Sequence, residues 1–307
     1  MMRLWLAVAA FAALTASAGA ADMPLKAPIL AVPSWSGFYV GGNVGYSWGN
    51  ADNDWSYFAA ASNGHADATT CRPAGGALCA TASNSDGLNG VIGGVQAGYN
   101  WQIGAYLAGI ESDFQASGQR GSDSFNAAFS LTTPPPGTIS TSYTERLDWF
   151  GTVRARAGYI VANQFLIYAT GGLAYGRVTI DGSGTSIGSA AAAAASGLAA
   201  APCANIVFGG FGTCPFANFG DGINRLGWTV GAGIEGAIVG NWTWKLEYLH
   251  IDLGSGVAGF ATLPGCYGTV TAGGGACIPV LAGTGSASSR VTDEIVRVGI
   301  NYRFGLL

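Results

Sequence analysis

The sequence predicts an all-β fold: an eight-stranded antiparallel transmembrane β-barrel with four long extracellular loops. Three observations lead there. Of 307 residues, 50 are glycine and only 10% are charged, against about 7% and 25% in ordinary soluble domains. Beyond the N-terminal leader there is no apolar run of the roughly 18 residues that a membrane-spanning helix needs. Instead, eight segments alternate in polarity with period two, and the connections between them alternate between short and long.

Composition excludes the competing classes. Glycine costs a helix interior about 1 kcal/mol per residue, which argues against a helical enzyme. A hydrophobic content of 49%, with nine Trp, twelve Tyr and fourteen Phe, excludes disorder. A net charge of −4 provides no basic footprint, so nucleic acid is not an expected partner. The glycines follow no three-residue period, which removes collagen.

The leader consists of Arg3, an apolar stretch over 4–14 and Ala18-Gly19-Ala20, a small-x-small cleavage pattern. Residues 1–20 therefore read as a signal peptide, with an anchoring helix as the alternative. Residues 21–35, with Pro24, Pro28 and Pro33, read as a Pro-rich periplasmic tether, and 36–307 as the barrel. The alanine tract over 190–201 is interrupted by Gly197 and ended by Pro202, and reads as a low-complexity loop. An exported apolar chain without a spanning helix is left with the closed barrel, which alone satisfies every backbone group in lipid without helices.

The segments follow in order. The first, 37–49, sets Phe38, Val40, Val44, Tyr46 and Trp48 against Tyr39, Asn43 and Ser47. The second, 89–101, sets Val91, Val95, Ala97, Tyr99 and Trp101 against Gln96 and Asn100. The third opposes Tyr106, Ala108, Ile110 and Phe114 to Glu111 and Asp113. The fourth opposes Leu147, Trp149, Val153, Ala155 and Tyr159 to Asp148, Thr152, Arg154 and Arg156. The fifth, 165–178, is apolar on both faces and leaves its orientation open. The sixth opposes Leu226, Trp228, Val230, Ala232, Ile234 and Ile238 to Thr229 and Glu235. The seventh opposes Trp242, Trp244, Leu246 and Tyr248 to Thr243, Lys245 and Glu247. The eighth opposes Val296, Val298, Ile300, Tyr302 and Phe304 to Asp293, Arg297, Asn301 and Arg303.

Energy decides which face meets lipid. An Arg at the bilayer midplane costs about 2–4 kcal/mol, so the apolar faces point outward. Trp48, Trp101, Trp242 and Tyr302 then fall at the interfaces, where aromatic girdles sit. Tight turns at 102–105, 162–163 and 240–241 and long connections at 50–88, 116–144, 181–223 and 254–289 place both termini in the periplasm. Within the second long connection, 124–131 and 138–143 also alternate and predict a projecting β-ribbon.

The bore receives Glu111, Asp113, Asp148, Glu235, Glu247 and Asp293 together with Arg154, Arg156, Lys245, Arg297 and Arg303. Eight strands leave an interior just wide enough for side chains to fill, and buried charges persist when paired. A plugging charge network is therefore expected, with a narrow diffusion porin as the alternative. Cys71 and Cys79, Cys203 and Cys214, and Cys266 and Cys277 pair within the long loops in this reading, with none in a strand. Of the fifteen pairings that six cysteines permit, three local disulfides are the expected set, each constraining its loop by about 3 kcal/mol.

Chemistry-bearing motifs are sparse. Residues 231–236 (GAGIEG) match a dinucleotide fingerprint, but the following residues read as strand where the motif needs a helix. Without a CxxC and with two histidines, a zinc site and a resident cofactor are not expected. His250 and Asp252 share one side of the seventh segment, which raises a hydrolase reading, though parity places His250 toward lipid. His65 reads as a solvated loop residue, with a haem or metal ligand as the alternative.

Several blocks resemble a known family. The run over 21–28 (ADMPLKAP), 35–42 (WSGFYVGG), 151–159 (GTVRARAGY), 168–176 (YATGGLAYG), 228–233 (WTVGAG), 245–248 (KLEY) and 296–304 (VRVGINYRF) is similar to the alphaproteobacterial outer-membrane immunogenic proteins, also called porin-family outer-membrane β-barrel proteins. The resemblance implies a surface barrel in the Gram-negative outer membrane, inserted by the outer-membrane assembly machinery. It implies roles in envelope integrity and in contact with an extracellular ligand or host surface, and haem binding in some relatives. It also assigns the assembly signal to Tyr302 and Phe304, although members end at the aromatic and here Gly305-Leu306-Leu307 follows.

Overall fold

The computed structural model describes residues 34–59, 78–129, 137–162, 164–189, 211–261, 265–267, 278–280 and 284–304. Eight long strands close into one antiparallel ring: β1 (Gly37–Ala59), β2 (Leu78–Ile103), β3 (Tyr106–Phe129), β4 (Gly137–Val161), β5 (Phe165–Ser189), β6 (Phe211–Ala237), β7 (Trp242–Ala261) and β10 (Thr284–Phe304). Two short strands, β8 (Gly265–Tyr267) and β9 (Ile278–Val280), pair with each other in the last long connection. The ring order β1-β10-β7-β6-β5-β4-β3-β2 is a meander closed by its first and last strands. The three tight turns bend where expected, with Gly104 (φ 63°), Ala162 (φ 51°) and Gly240 (φ 56°) in the left-handed region.

An apolar belt surrounds the ring near these turns. Val44, Val95, Ile110, Val153, Leu173, Val230, Leu246 and Val298 all point outward and are exposed. Aromatic pairs edge it below (Tyr106–Tyr159 at 5.5 Å, Trp242–Tyr302 at 5.1 Å) and above (Tyr46–Trp48 at 6.5 Å, Phe114–Trp149 at 5.5 Å). From Phe38 to Trp48, at about 3.3 Å per residue and a tilt near 40°, the belt rises about 25 Å, the height of an outer-membrane hydrocarbon layer.

The strands do not stop at the upper girdle. The sequence predicts loops from residue 50 onward, yet β1 continues to Ala59 and β2 already starts at Leu78. The reason is an inversion of polarity at constant parity. Below Trp48, β1 turns Val40 and Val44 out and Tyr39 and Ser47 in; above it, Asp52 and Asp54 face out while Ala51, Trp55 and Tyr57 are buried. Lipid has given way to water outside, and the interior has become the apolar side. The predicted ribbon over the second connection is present, with Phe129 opposite Gly137, and is part of this upper wall.

The upper wall is two sheets rather than a ring. Most ladders run far above the belt, to Ala59↔Leu78 between β1 and β2 and Ser189↔Phe211 between β5 and β6. The β2–β3 ladder ends at Asn89↔Arg120, and the β6–β7 ladder at Trp228↔Asp252. Two seams therefore separate the sheet β7-β10-β1-β2 from the sheet β3-β4-β5-β6. Trp55 of the first packs against Tyr143, Phe125 and Phe219 of the second at 4.7, 5.4 and 5.3 Å.

Three corrections follow. Asp148 is the extra residue of a β-bulge between Leu147 and Trp149, so it lies on the outer wall beside Arg146, Arg177 and Thr179 rather than in the bore. The same bulge turns Leu147 inward, where it is 1% exposed. The cysteines do not all fall in loops: Cys79, Cys214 and Cys266 lie on β2, β6 and β8, whereas Cys71, Cys203 and Cys277 fall outside the described residues, as do the leader, His65 and residues 305–307. The fifth segment resolves with Leu166, Tyr168, Ala174, Val178 and Ile180 inward.

Candidate functional site: the filled bore

The bore is filled in three storeys. At the turn end, Trp35, Leu107, Ile160, Leu166 and Tyr168 form an apolar seal. Arg303 lies across it, its guanidinium 4.6 Å from the Trp35 ring centre and donating to the Ser34 carbonyl at 3.0 Å. Among the described residues no carboxylate pairs with Arg303, so it caps the seal rather than joining the charge network.

The middle storey holds four cations and four carboxylates with almost no exposed side-chain surface. Cross-strand register builds it: Glu111 of β3 faces Arg154 of β4, Glu247 of β7 faces Arg297 of β10, and Glu235 of β6 faces Lys245 of β7. Opposite charges directly across a ladder stabilise it. Arg154 reaches Asp113 at 3.0 Å and Glu247 at 3.1 Å, and also binds Glu111. Arg297 binds Glu247 at 2.6 Å and Asp113 at 2.9 Å. Arg156 binds Glu235 at 3.0 Å and Glu111 at 3.4 Å. Lys245 donates to both Glu111 oxygens.

Neutral side chains complete the shell. Tyr39 donates to Glu111 at 2.6 Å and Tyr168 to Glu247 at 2.9 Å, and the Arg156 guanidinium lies 4.1 Å from the Tyr168 ring centre. Thr152 donates to Asp113, and Thr243 and Asn301 donate to Glu235. Gly98 and Gly233 leave the volume that the Tyr39 and Tyr168 hydroxyls occupy; a Cβ at either would overlap them. The predicted lumen residues Glu111, Asp113, Arg154, Arg156, Glu235, Lys245, Glu247 and Arg297 are thus brought together. Asp293 also faces inward, but higher, bonded to Ser47 and to Gln119 at 2.8 Å.

Above Asp293 the interior turns apolar. Leu88, Ile92, Leu147, Phe150, Val178, Leu249, Ile251, Val291 and Ile295 are buried there. A polar cluster crosses this storey: Arg225 lies 3.8 Å from Glu145, which accepts from Ser289 at 2.8 Å and from Asn53 at 3.3 Å. Burial raises the Glu145 carboxyl above its ordinary range and pushes the nearby Asp86 up to about 6. Sequence reading missed Tyr39 and Tyr168 as network members and assigned no role to Arg225 and Glu145. The signal that finds them is the inverted alternation continuing beyond each girdle.

The remaining candidates separate. His250 lies on the outer wall, as parity predicts, 2.7 Å from Glu294 and 5.1 Å from the Trp228 ring. Asp252 is bonded instead to Arg290 at 2.7 Å. The glycines of residues 231–236 lie within β6, a strand, as the failed fingerprint requires.

The sequence profile described as "Outer membrane protein beta-barrel domain" matches residues 6–304. The 31 kDa outer-membrane immunogenic protein of Brucella melitensis is 34% identical over 295 residues, covering 94% of each chain. A 22 kDa outer membrane protein of Rhizobium leguminosarum bv. viciae is 26% identical over 227 residues, 74% of this chain and 68% of that protein. Among solved structures, Ail of Yersinia pestis aligns with 10% identity and a TM-score of 0.30, covering 88% of this chain and 99% of its own.

Proposed function

The chain belongs to the outer membrane protein β-barrel family, and from that premise we propose that it is a non-enzymatic surface barrel with a sealed bore, contributing to envelope integrity and presenting its two outer sheets for surface interaction. It resides in the outer membrane. The observation that carries the sealed bore is the stacking of an apolar seal, a paired charge network and an apolar upper storey on one axis. An ion crossing would have to displace paired charges that are already desolvated, then leave its own hydration behind in the upper storey.

Export through residues 1–20 and assembly through Tyr302 and Phe304 complete the reading. Both aromatics stand on the outer face of β10 at the lower girdle, 5.0 Å apart. Planar-bilayer recording of the refolded full chain tests the seal: the expected trace stays at the baseline. Steady, large unitary currents would establish the diffusion-porin reading instead.

A further inference from the structure

On the outer wall, the arc formed by β3, β4 and β5 differs from the rest of the rim. Phe114, Trp149 and Tyr175 form a continuous aromatic row, with centroids 5.5 and 6.2 Å apart, at the top of the apolar belt. Immediately above stand three arginines. Arg120 and Arg146 face each other directly across the β3–β4 ladder, and Arg177 stands beside Trp149 on β5. Arg146 points outward only because the bulge at Asp148 shifts β4 by one residue.

Their charges are incompletely matched. Arg146 pairs with Asp181 at 2.8 Å, and Asp148 lies 4.0 Å from both Arg146 and Arg177. Arg120 is exposed and pairs with no carboxylate among the described residues. Like charges directly opposite on a ladder are unfavourable, so Arg120 and Arg146 together leave room for a bridging anion. Higher still, the hydroxyls of Ser122, Ser124, Ser142, Thr144 and Ser183, together with the carboxylates of Asp123 and Asp181, line a shallow groove of about 600 Å³. The opposite arc of the rim is more acidic, with Asp52 and Asp54 exposed, Glu294 beside His250 and Asp252 buried against Arg290.

We propose that the β3–β4–β5 arc docks one phosphorylated glycolipid of the surrounding leaflet. Its acyl chains lie along Phe114, Trp149 and Tyr175, its phosphate bridges Arg120 and Arg146 beside Arg177, and its sugar hydroxyls meet the hydroxyls and the carboxylates of Asp123 and Asp181 in the groove above. The vertical order apolar, cationic, hydroxylated matches the order of acyl chain, phosphate and sugar in such a lipid. Guanidinium groups suit phosphate because they donate paired, charge-assisted hydrogen bonds. The site is on the outside of the wall, so it stands whether or not the bore conducts.

The test uses the refolded full chain in delipidated micelles, titrated with bis-phosphorylated lipid A and read by native mass spectrometry. Wild type is expected to retain one lipid, and the Arg120→Ala/Arg146→Ala variant to bind at least tenfold more weakly. Arg290→Ala on the opposite arc is expected to bind as wild type does. A second variant, Ser124→Trp/Ser142→Phe, blocks the groove without touching a charge and is expected to weaken lipid A but not phosphatidylglycerol. Retention of heat-modifiable electrophoretic mobility confirms that each variant is folded. Equal binding of dephosphorylated lipid A, equal binding of phosphatidylglycerol by wild type, or undiminished binding by both variants would overturn the proposal.

Discussion

Lys245 of β7 and Glu111 of β3 meet across the full width of the bore, the ammonium 2.9 and 3.1 Å from the two carboxylate oxygens. Neither strand neighbours the other in the ring, so this pair ties opposite walls together. Glu111 also pairs with Arg154 and Arg156, so removing Lys245 leaves the buried network with four carboxylates against three cations, an excess buried charge worth about 3–5 kcal/mol. Lys245→Ala is expected to lower stability by that amount in urea unfolding of the refolded chain. The Glu111→Gln/Lys245→Met double variant is expected to recover part of the loss, because it removes both charges.

The charge storey and the apolar storey lie in series. Breaching one is therefore expected to leave the bore closed: Arg154→Ala/Glu247→Ala and Phe150→Ala/Leu249→Ala each remain silent in planar bilayers. Combining all four substitutions is the arrangement expected to conduct. A current from either pair alone would show that a single storey makes the seal.

Asp86 and Glu145 give the outer sheets a pH dependence of definite sign. Burial raises the Asp86 carboxyl to about 6 from an ordinary value near 4, and raises Glu145 as well. A carboxyl raised in the folded state holds its proton longer there than in the unfolded chain, so stability is full below the unfolded value and falls as pH rises through the folded one. The seam between β2 and β3, where Asn84 bonds both Asp86 and Asp123, is expected to exchange amide hydrogens faster, after correction for intrinsic rates, at pH 7 than at pH 4.5. Asp86→Asn is expected to flatten that difference.

The bulge at Asp148 makes neighbouring positions behave oppositely to simple alternation. Leu147 is buried in the apolar storey, and Leu147→Asp places an unpaired charge there, at about 4 kcal/mol. Arg146 is on the outer wall, its side chain 37% exposed, and Arg146→Ala is expected to cost about 1 kcal/mol or less. Denaturant midpoints of the two variants check the contrast. Similar losses would place Leu147 outside.

What the sequence made legible follows from where its contrast is sharp. Within the belt, lipid punishes a misplaced Arg154 or Arg297, so alternation there gives strand number, facing and the network residues directly. Above the belt, water tolerates either face. Asp52, Asp54 and Ser56 outside and Trp55 and Tyr57 inside looked like a polar connection with scattered aromatics. Parity in β1 never changes; only the polarity of its two faces does. Asp148 is misassigned because a bulge is a one-residue event that composition does not mark, and its partners Arg177 and Thr179 come from another strand. Tyr39 is legible as inward but not as a donor to Glu111, and Tyr168 is not legible at all, since the fifth segment is apolar on both faces; both pairings skip a strand rather than follow a ladder.

The two sheets above the belt have a consequence for any antibody that meets the cell. The surface it encounters is a rigid assembled one, in which Arg120, Arg146 and Arg177 are neighbours only while three strands remain in register. A linear peptide cut from any one of those strands would carry the right letters and present none of that arrangement. An epitope on this arc is therefore expected to be conformational, lost on boiling and regained on refolding.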